Sequence, residues 1–390
     1  MALLAFAAGS VQAADPGFKS YVQKLWPAAK AGKVDRTTFD RAFQGVDDPD
    51  PAVLKLARNQ PEFTSTTSQY LSKAVTPARI ESGQGKLVEK AKLLAALERK
   101  YGVDRHILLA IWGMESNFGK DRGSMGVMRS LATLAYDGRR RSYAQPQIVA
   151  ALRILQSGVI SIDRFTGSWA GAMGHTQFIP TSYLAYAVDW TGDGARDLWN
   201  SEDDALASTA NYLAKAGWSS AQPWGWEVRL PANFDRSLIG RKRPRKVSAW
   251  RRLGVEPVGG GSFGAGDAES FIIIPQGIAG PALLVTRNFN AIMAYNESHS
   301  YAVAVGHLAD RIRGRGPFVS AWPDQSMELS YAERIEMQKR LTARRFQTGG
   351  SDGRLGARTY EAILAFQKSR GMQLDGEPTR AVLVALRRAG

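Results

Sequence analysis

Asp104-Arg105-His106-Ile107-Leu108-Leu109-Ala110-Ile111-Trp112-Gly113-Met114-Glu115-Ser116-Asn117-Phe118-Gly119 reads as a helix that ends on an acid. Asp104 suits its N-cap, and Gly102 suits the end of the helix before it. Leu108, Ile111 and Trp112 lie seven, four and three residues before Glu115, so they share its face. That face is apolar and belongs to a core. An ionised carboxylate is expensive there, so burial is expected to favour its protonated form. A carboxylic acid that keeps its proton near neutral pH can give it to the leaving oxygen of a glycosidic bond. The alternative is an acid that turns out to solvent or pairs with an arginine.

Working outward, Lys86 to Tyr101 reads as one amphipathic helix with Leu87, Leu94 and Leu97 on its apolar side. From Phe18 to about Tyr70 the apolar residues keep helical spacing, broken by Pro27, Pro49, Pro51 and Pro61, which predicts several short helices. Ile148–Leu155, Ala205–Ala216 and Tyr301–Ile312 are further helices. Strand signals come only between them: Trp226–Leu230, Phe271–Ile274 and Ala282–Val285, with a flexible turn at Gly259-Gly260-Gly261. These define a small β-containing insertion at about 223–290. Gly314, Gly316, Pro317 and Pro323 mark a linker. Beyond it, Arg334–Leu341, Thr359–Lys368 and Arg380–Arg387 are helical and form a compact module over 326–390.

The chain has 390 residues and no cysteine, which excludes disulfides, thiolate metal sites and cysteine nucleophiles. Its net charge of +15 favours polyanionic partners, the alternative being a solvated basic surface. The densest basic run, Arg241-Lys242-Arg243-Pro244-Arg245-Lys246, is broken by proline and reads as a loop; Arg251-Arg252 follows it. Leu3 to Ala8 is a short apolar run, followed by the small-x-small site Val11-Gln12-Ala13 and polar Asp15. Residues 1–14 therefore read as the tail of a secretory signal peptide lacking its basic start. A disordered or helical N-terminus is the alternative. No later stretch is apolar for long enough to span a bilayer, so a soluble, exported protein with no stable membrane anchor is expected.

Several further segments fall in one order: Ser130–Tyr136, Ser168-Trp169-Ala170-Gly171-Ala172-Met173-Gly174-His175-Thr176-Gln177-Phe178-Ile179-Pro180, Ala210-Asn211-Tyr212-Leu213, and Tyr295-Asn296-Glu297-Ser298. With the Glu115 helix, they resemble the lytic murein transglycosylase B family over about Asp15 to Arg313. The resemblance implies a mainly α (α+β) protein: a lysozyme-like helical catalytic core over 15–322 that carries the β insertion. It implies cleavage of the MurNAc-GlcNAc bond of peptidoglycan, with Glu115 as the one catalytic acid and base. Glu115 would protonate the bond, the muramic acetamido group would stabilise the cation at C1, and Glu115 would then take the C6 hydroxyl proton to close a 1,6-anhydro ring. It also implies that Ser168 and Gln177 line the cleft, and that Tyr212, Tyr295, Asn296 and Tyr301 contact sugar or the acid. Tyr143 is a weaker candidate. Each tyrosine taken alone fits a core aromatic with a satisfied hydroxyl. Two-carboxylate glycosidases need a second acid. None lies near Glu115 on its helix, and Asp121 is in a polar loop.

Asp189-Trp190-Thr191-Gly192-Asp193-Gly194-Ala195 resembles the start of an EF-hand loop, with Asp189, Thr191, Asp193 and the Ala195 carbonyl as oxygen ligands and glycine at position six. Position twelve is Asn200, not glutamate. Asp203 closes the loop by counting and Asp204 by alignment. A structural calcium or sodium ion is the implied occupant, outside the chemistry, which needs no cofactor. An ion-free turn is the alternative. Asp352-Gly353-Arg354-Leu355-Gly356, Ala365-Phe366-Gln367-Lys368 and Gly371-Met372-Gln373-Leu374-Asp375-Gly376 resemble the three-helix peptidoglycan-binding domain. A helical dimerisation module is the alternative there.

The favoured reading is a periplasmic lytic transglycosylase acting on glycan strands, with other cell-wall enzymes as candidate partners. Three others stand beside it: a water-using muramidase, a non-catalytic wall-binding scaffold, and a nucleic-acid binder driven by charge. The export signal argues against nucleic acid.

Overall fold

The computed structural model describes residues 15–58, 65–220, 222–264, 266–323, 329–353, 355, 357–372, 374 and 376–388. The apolar run and small-x-small site of residues 1–14 lie outside them, as does Pro61. The described chain is mainly helical and divides into two compact units, one of residues up to 59 with 119–208, the other of residues 60–118 with 209–390.

In the first unit, helices Val127–Asp137 and Arg141–Gln156 pack side by side. The short N-terminal helices gather around them, Pro16–Gln23 on the former and Trp26–Ala31 and Arg36–Ala42 on the latter. Their starts are fixed locally: the Asp15 carboxylate accepts the Gly17 and Phe18 amides, and that of Asp35 accepts Thr38. Phe18 then buries its ring edge-on against Tyr136, with centroids 5.3 Å apart. Helix Val127–Asp137 carries the Ser130–Tyr136 motif almost wholly buried. The two-residue strands β1 (Met125–Gly126) and β2 (Thr166–Gly167) pair antiparallel beside it.

In the second unit, helix Arg105–Ser116 is the central element. Ile107 to Gly113 are all buried, and helices His299–Ile312, Pro77–Glu89 and Ala91–Tyr101 pack against it. The single helix read over 86–101 is two. The first begins at Pro77, behind the Thr76 cap, and the ladder breaks at Lys90, where φ is −100° and ψ 19°. The break lets both segments follow one partner. Gly83 of the first meets Ile312 and Phe118, while Leu94 and Leu97 of the second are fully buried.

The insertion is a five-stranded antiparallel sheet. Strands β3 (Gly225–Arg229), β4 (Arg245–Lys246), β5 (Glu256–Pro257), β6 (Glu269–Ile273) and β7 (Ala282–Thr286) stand in the order β4-β6-β7-β3-β5. Val228, Ile272 and Leu284 share one face and pack with Trp250 of helix Val247–Arg252. The run read as a basic loop therefore ends as an edge strand and a helix: the exposed Arg245-Lys246 pair suits an unpaired edge, and buried Val247 and Trp250 pull the next turn onto the sheet. Helix Arg287–Tyr295 follows β7 directly, capped by the Thr286 hydroxyl.

The C-terminal helices Tyr331–Ala343, Ala357–Ser369 and Arg380–Arg388 close on Met337, Leu341, Ile363, Phe366, Leu383 and Leu386. Two buried glutamines clamp the turns: Gln338 Oε1 accepts the Gly353 amide at 2.7 Å, and Gln367 Oε1 the Gly376 amide at 2.8 Å. Each satisfies a backbone donor that burial would otherwise strand. The Gly/Pro-rich linker is tied down. The Glu227 carboxylate accepts the Val319 and Ser320 amides at 2.8 and 2.7 Å, and Phe318 stacks on His307 at 4.2 Å. No helix among the described residues is long and apolar enough to cross a membrane.

Candidate active site

Glu115 stands in the last turn of helix Arg105–Ser116, half-buried. The helix stops because Asn117, Phe118 and Gly119 all take left-handed backbone, with φ of 50°, 59° and 85°. Asparagine and glycine adopt this readily; phenylalanine does so only against a restraining environment. The restraint is packing. Phe118 lies edge-on to Trp112 with centroids 5.6 Å apart, and its ring covers Gly113, where an added Cβ would come within 2.8 Å of the ring. Trp112 itself is 0% exposed. Glu115 thus projects from a helix end clamped on both sides.

Tyr301 comes from helix His299–Ile312, whose start is fixed by the Ser298 hydroxyl accepting the Tyr301 amide. Its own hydroxyl donates to Glu115 Oε1 at 2.5 Å. Burial first, then the nearby Glu115 charge, pushes this phenol well above its ordinary value, so it keeps its proton and acts as a donor. Tyr295 and Tyr70 are close enough to add to that field. Tyr295 ends helix Arg287–Tyr295 and packs edge-on against Tyr212 at 5.0 Å, while the Tyr212 hydroxyl donates to the Ala294 carbonyl at 2.5 Å. Asn296 follows in extended backbone with an exposed side chain. The structure therefore brings Glu115, Tyr301, Tyr295 and Tyr212 into one network and leaves Asn296 at its edge. Tyr70, on helix Thr67–Ala74, was missed in the sequence. An aromatic in an amphipathic helix looks like core; only its proximity to Tyr301 sets it apart.

In the other unit, the Ser168–Gln177 segment folds on itself. The Ser168 hydroxyl accepts the Ala170 and Ala172 amides at 3.3 and 3.0 Å, which uses both lone pairs and leaves its O–H to donate. The Tyr143 hydroxyl donates to the Ala170 carbonyl at 2.9 Å, and the Arg140 guanidinium lies 4.8 Å from the Tyr143 ring and 5.3 Å from that of Trp169. Gln177 has a φ of 50°, and its side-chain amide donates to the Arg122 and Gly174 carbonyls. Gly174 is required for close approach: a Cβ there would stand 2.3 Å from the Leu198 carbonyl oxygen. A strained glutamine on a tightly packed turn is the kind of position that binding sites retain.

The Asp189 loop is organised by its own amides. The Asp189 carboxylate accepts Gly192 at 2.6 Å and Gly194 at 2.8 Å, and these bonds, that from Gly194 foremost, hold it below the usual carboxylate range. Asp204 is 0% exposed and accepts the Trp190, Thr191 and Asp197 amides. Asn200 donates to Asp197. The carboxylate, hydroxyl and carbonyl oxygens at Asp189, Thr191, Asp193 and Ala195 suit a hard cation. Among the described residues, however, no three acidic or imidazole side chains stand close enough together to hold one. The loop's shape fits an ion better than its gathered charge does.

The transglycosylase SLT domain family matches residues 17–310, and the peptidoglycan binding domain family matches 330–386. The chain belongs to the SLT family of lytic transglycosylases, lyases that cleave peptidoglycan. It is 48% identical to SltB3 from Pseudomonas aeruginosa, whose structure in complex with NAG-anhNAM-pentapeptide superposes with a TM-score of 0.90 over 96% of this chain and 100% of that one. It is 30% identical over 273 residues to membrane-bound lytic murein transglycosylase B of Escherichia coli (strain K12), covering 67% of this chain and 74% of that protein. The Escherichia coli lytic transglycosylase Slt35 in complex with calcium matches at 26% identity and a TM-score of 0.62, over 77% of this chain and 93% of that one.

Proposed function

We propose that Glu115 alone performs both proton transfers of a lytic cleavage between N-acetylmuramic acid and N-acetylglucosamine. The observation that carries this reading is the Tyr301 hydroxyl on Glu115 Oε1. A donor that holds its proton fixes the carboxyl's orientation in both protonation states. Glu115 also sits at the negative end of its helix, where a neutral acid is more at ease than an anion. As an acid it gives its proton to the glycosidic oxygen while the C1–O bond breaks. The 2-acetamido oxygen of the muramic residue stabilises C1. As a base the same carboxylate removes the C6 hydroxyl proton, and O6 attacks C1 to close the anhydro ring. No water is consumed, and Glu115 ends as it began. The pentapeptide-bearing anhydro ligand of the Pseudomonas relative supports this product.

Tyr212 and Tyr295 form an aromatic ledge for a sugar face, with Asn296 at its rim, and Tyr70 adds to it. Ser168 can only donate, which suits a sugar carbonyl or hydroxyl oxygen. Gln177 presents a polar edge on a fixed turn, and Tyr143 positions the Ser168 segment. The Asp189 loop serves as a structural cation site built on the oxygens of Asp189, Thr191, Asp193 and Ala195, in which Asp204 clasps the loop amides. Residues 1–14 direct export to the periplasm, and the C-terminal module holds the enzyme on its polymer, raising the local concentration of cleavable bonds.

Digestion of purified sacculi by native and Glu115→Gln protein, with the muropeptides weighed, tests the mechanism. Native protein is expected to release fragments lighter by one water than hydrated ends. The variant is expected to be about 10²–10⁴-fold slower. Hydrated reducing ends would turn the reading to a muramidase.

A further inference from the structure

The insertion carries a second concave surface, framed by helix Val247–Arg252 and strands β3 and β5. A cavity of about 700 Å³ opens there, within the range of sites for compact organic ligands. Arg229 enters it from β3, and Arg251 and Arg252 from the last turn of the helix. Phe263 and Val255 supply a buried apolar floor. The Gly260-Gly261 turn borders it, and Ser248 adds a polar edge.

The charge of this pocket is unbalanced. None of the three guanidinium groups forms a hydrogen bond or ion pair with a described residue. One acid lines the cavity, Glu256, opposite Arg229 in the β3–β5 register. Arg252 also feels Asp267, but that carboxylate is occupied by the Ser248 amide at 2.8 Å and hydroxyl at 2.9 Å. Exposed Arg245 on β4, just before the helix, extends the positive field, while its neighbour Lys246 pairs with Asp267 at 4.0 Å. Like charges gathered around a cavity repel one another, and an anionic ligand relieves that repulsion.

We propose that this pocket binds the acidic stem peptide of the wall polymer, away from the bond that is cut. The inference rests on the peptidoglycan reading above. Guanidinium groups match carboxylates two-pronged, and three of them suit a ligand with several carboxylates. The Phe263 floor suits alkyl stretches between those carboxylates, and the glycine turn and Ser248 suit peptide amides. A free phosphate has no use for an apolar floor, and a flat membrane surface does not fill a concavity.

The experiment is a calorimetric titration of the full chain with the sugar-free wall pentapeptide, which contains no glycosidic bond. Native protein is expected to bind it, and Arg251→Glu/Arg252→Glu to weaken binding by about tenfold or more. Arg251→Gln/Arg252→Gln is expected to weaken it less, and peptide with amidated carboxyls to lose it. Equal affinity of native and charge-reversed protein would overturn the proposal. So would charge-sensitive binding to phosphatidylglycerol vesicles with none to the peptide. Both variants are expected to cut peptide-free glycan strands at the native rate, which shows that they fold. Anhydro product from those strands tests the catalytic reading separately, so failure of one assignment is distinguishable from failure of the other.

Discussion

Tyr301 Oη lies 2.5 Å from Glu115 Oε1, across 186 residues of sequence. Two helices packed side by side make this contact, one ending at the acid and the other beginning at the tyrosine. The tyrosine is 3% exposed, so its hydroxyl has few other partners to choose from. Each helix terminus is fixed independently, by the left-handed turn after Ser116 and by the Ser298 cap. The Glu115 carboxyl is therefore oriented by backbone architecture through one phenol.

Replacing Tyr301 by Phe keeps the packing and removes the donor. A hydrogen bond to a charged group is worth about 1.5–3 kcal/mol, so kcat is expected to fall by about 10- to 100-fold. KM should change little if the tyrosine acts on the acid and not on the sugar. The carboxylate form loses its partner, so the alkaline limb of the pH–rate profile should move to higher pH. An unchanged pH profile with a raised KM would make Tyr301 a sugar contact instead.

Gly113→Ala tests the clamp behind Glu115. The new methyl would lie 2.8 Å from the Phe118 ring tip, with two more ring atoms at 3.2 Å. The ring cannot retreat easily, since Trp112 holds its edge and Gly83 packs near its tip. Overpacking of this kind costs about 1–3 kcal/mol. Urea denaturation should show that loss, and activity should drop further than stability explains. Adding Phe118→Leu should recover part of both. Full additivity of the two substitutions would mean that the contact does not couple them.

The acid was legible in the sequence because a helix face and a motif converged on it. Glu115 follows Leu108, Ile111 and Trp112 around one face, and helical geometry is local. The strands at 226–230, 271–274 and 282–285 were legible for the same reason: period and β-branching are short-range signals. Helix Arg287–Tyr295 was hidden because it begins directly at the end of β7, so no loop composition separates them. The break at Lys90 was hidden because its cause is the partner helices and not the local residues. Tyr70 was hidden for a related reason: its place beside Tyr301 depends on two segments more than 200 residues apart. The linker's Gly/Pro content suggested freedom, whereas its anchor Glu227 lies 92 residues from Val319 in sequence, and His307 belongs to the helix before it.

Asp104 links the acid's helix to pH. Its carboxylate caps that helix through the His106 amide, bonds the His106 ring at 2.8 Å and pairs with Arg313. Burial opposes its ionisation, but these partners prevail and hold it at about 2. A carboxyl depressed from 3.8 stabilises the fold above the unfolded value, and that stability is lost as pH falls from about 4 towards 2. Asp104→Asn is expected to cost about 1–2 kcal/mol at neutral pH, discounted for partial exposure. The gap between native and variant should close below about pH 4 in acid-titrated thermal melts. A constant gap down to pH 2 would mean that the cap contributes through packing alone.

The Asp189 loop separates two kinds of carboxylate. Asp204 is sealed and receives three amides, so its work is internal to the fold. Asp204→Asn removes an acceptor oxygen from buried donors and is expected to cost about 1–3 kcal/mol even in chelator. Asp193 lies in the exposed part of the loop and spends one oxygen on the Ala195 amide. Its loss should matter little in chelator but should abolish any rise in Tm on adding calcium. Native Tm is expected to increase with calcium concentration, as for a ligand that binds only the folded state. A calcium response that survives Asp193→Ala would locate the ion elsewhere. No response in native protein would leave the loop as an amide-stabilised turn.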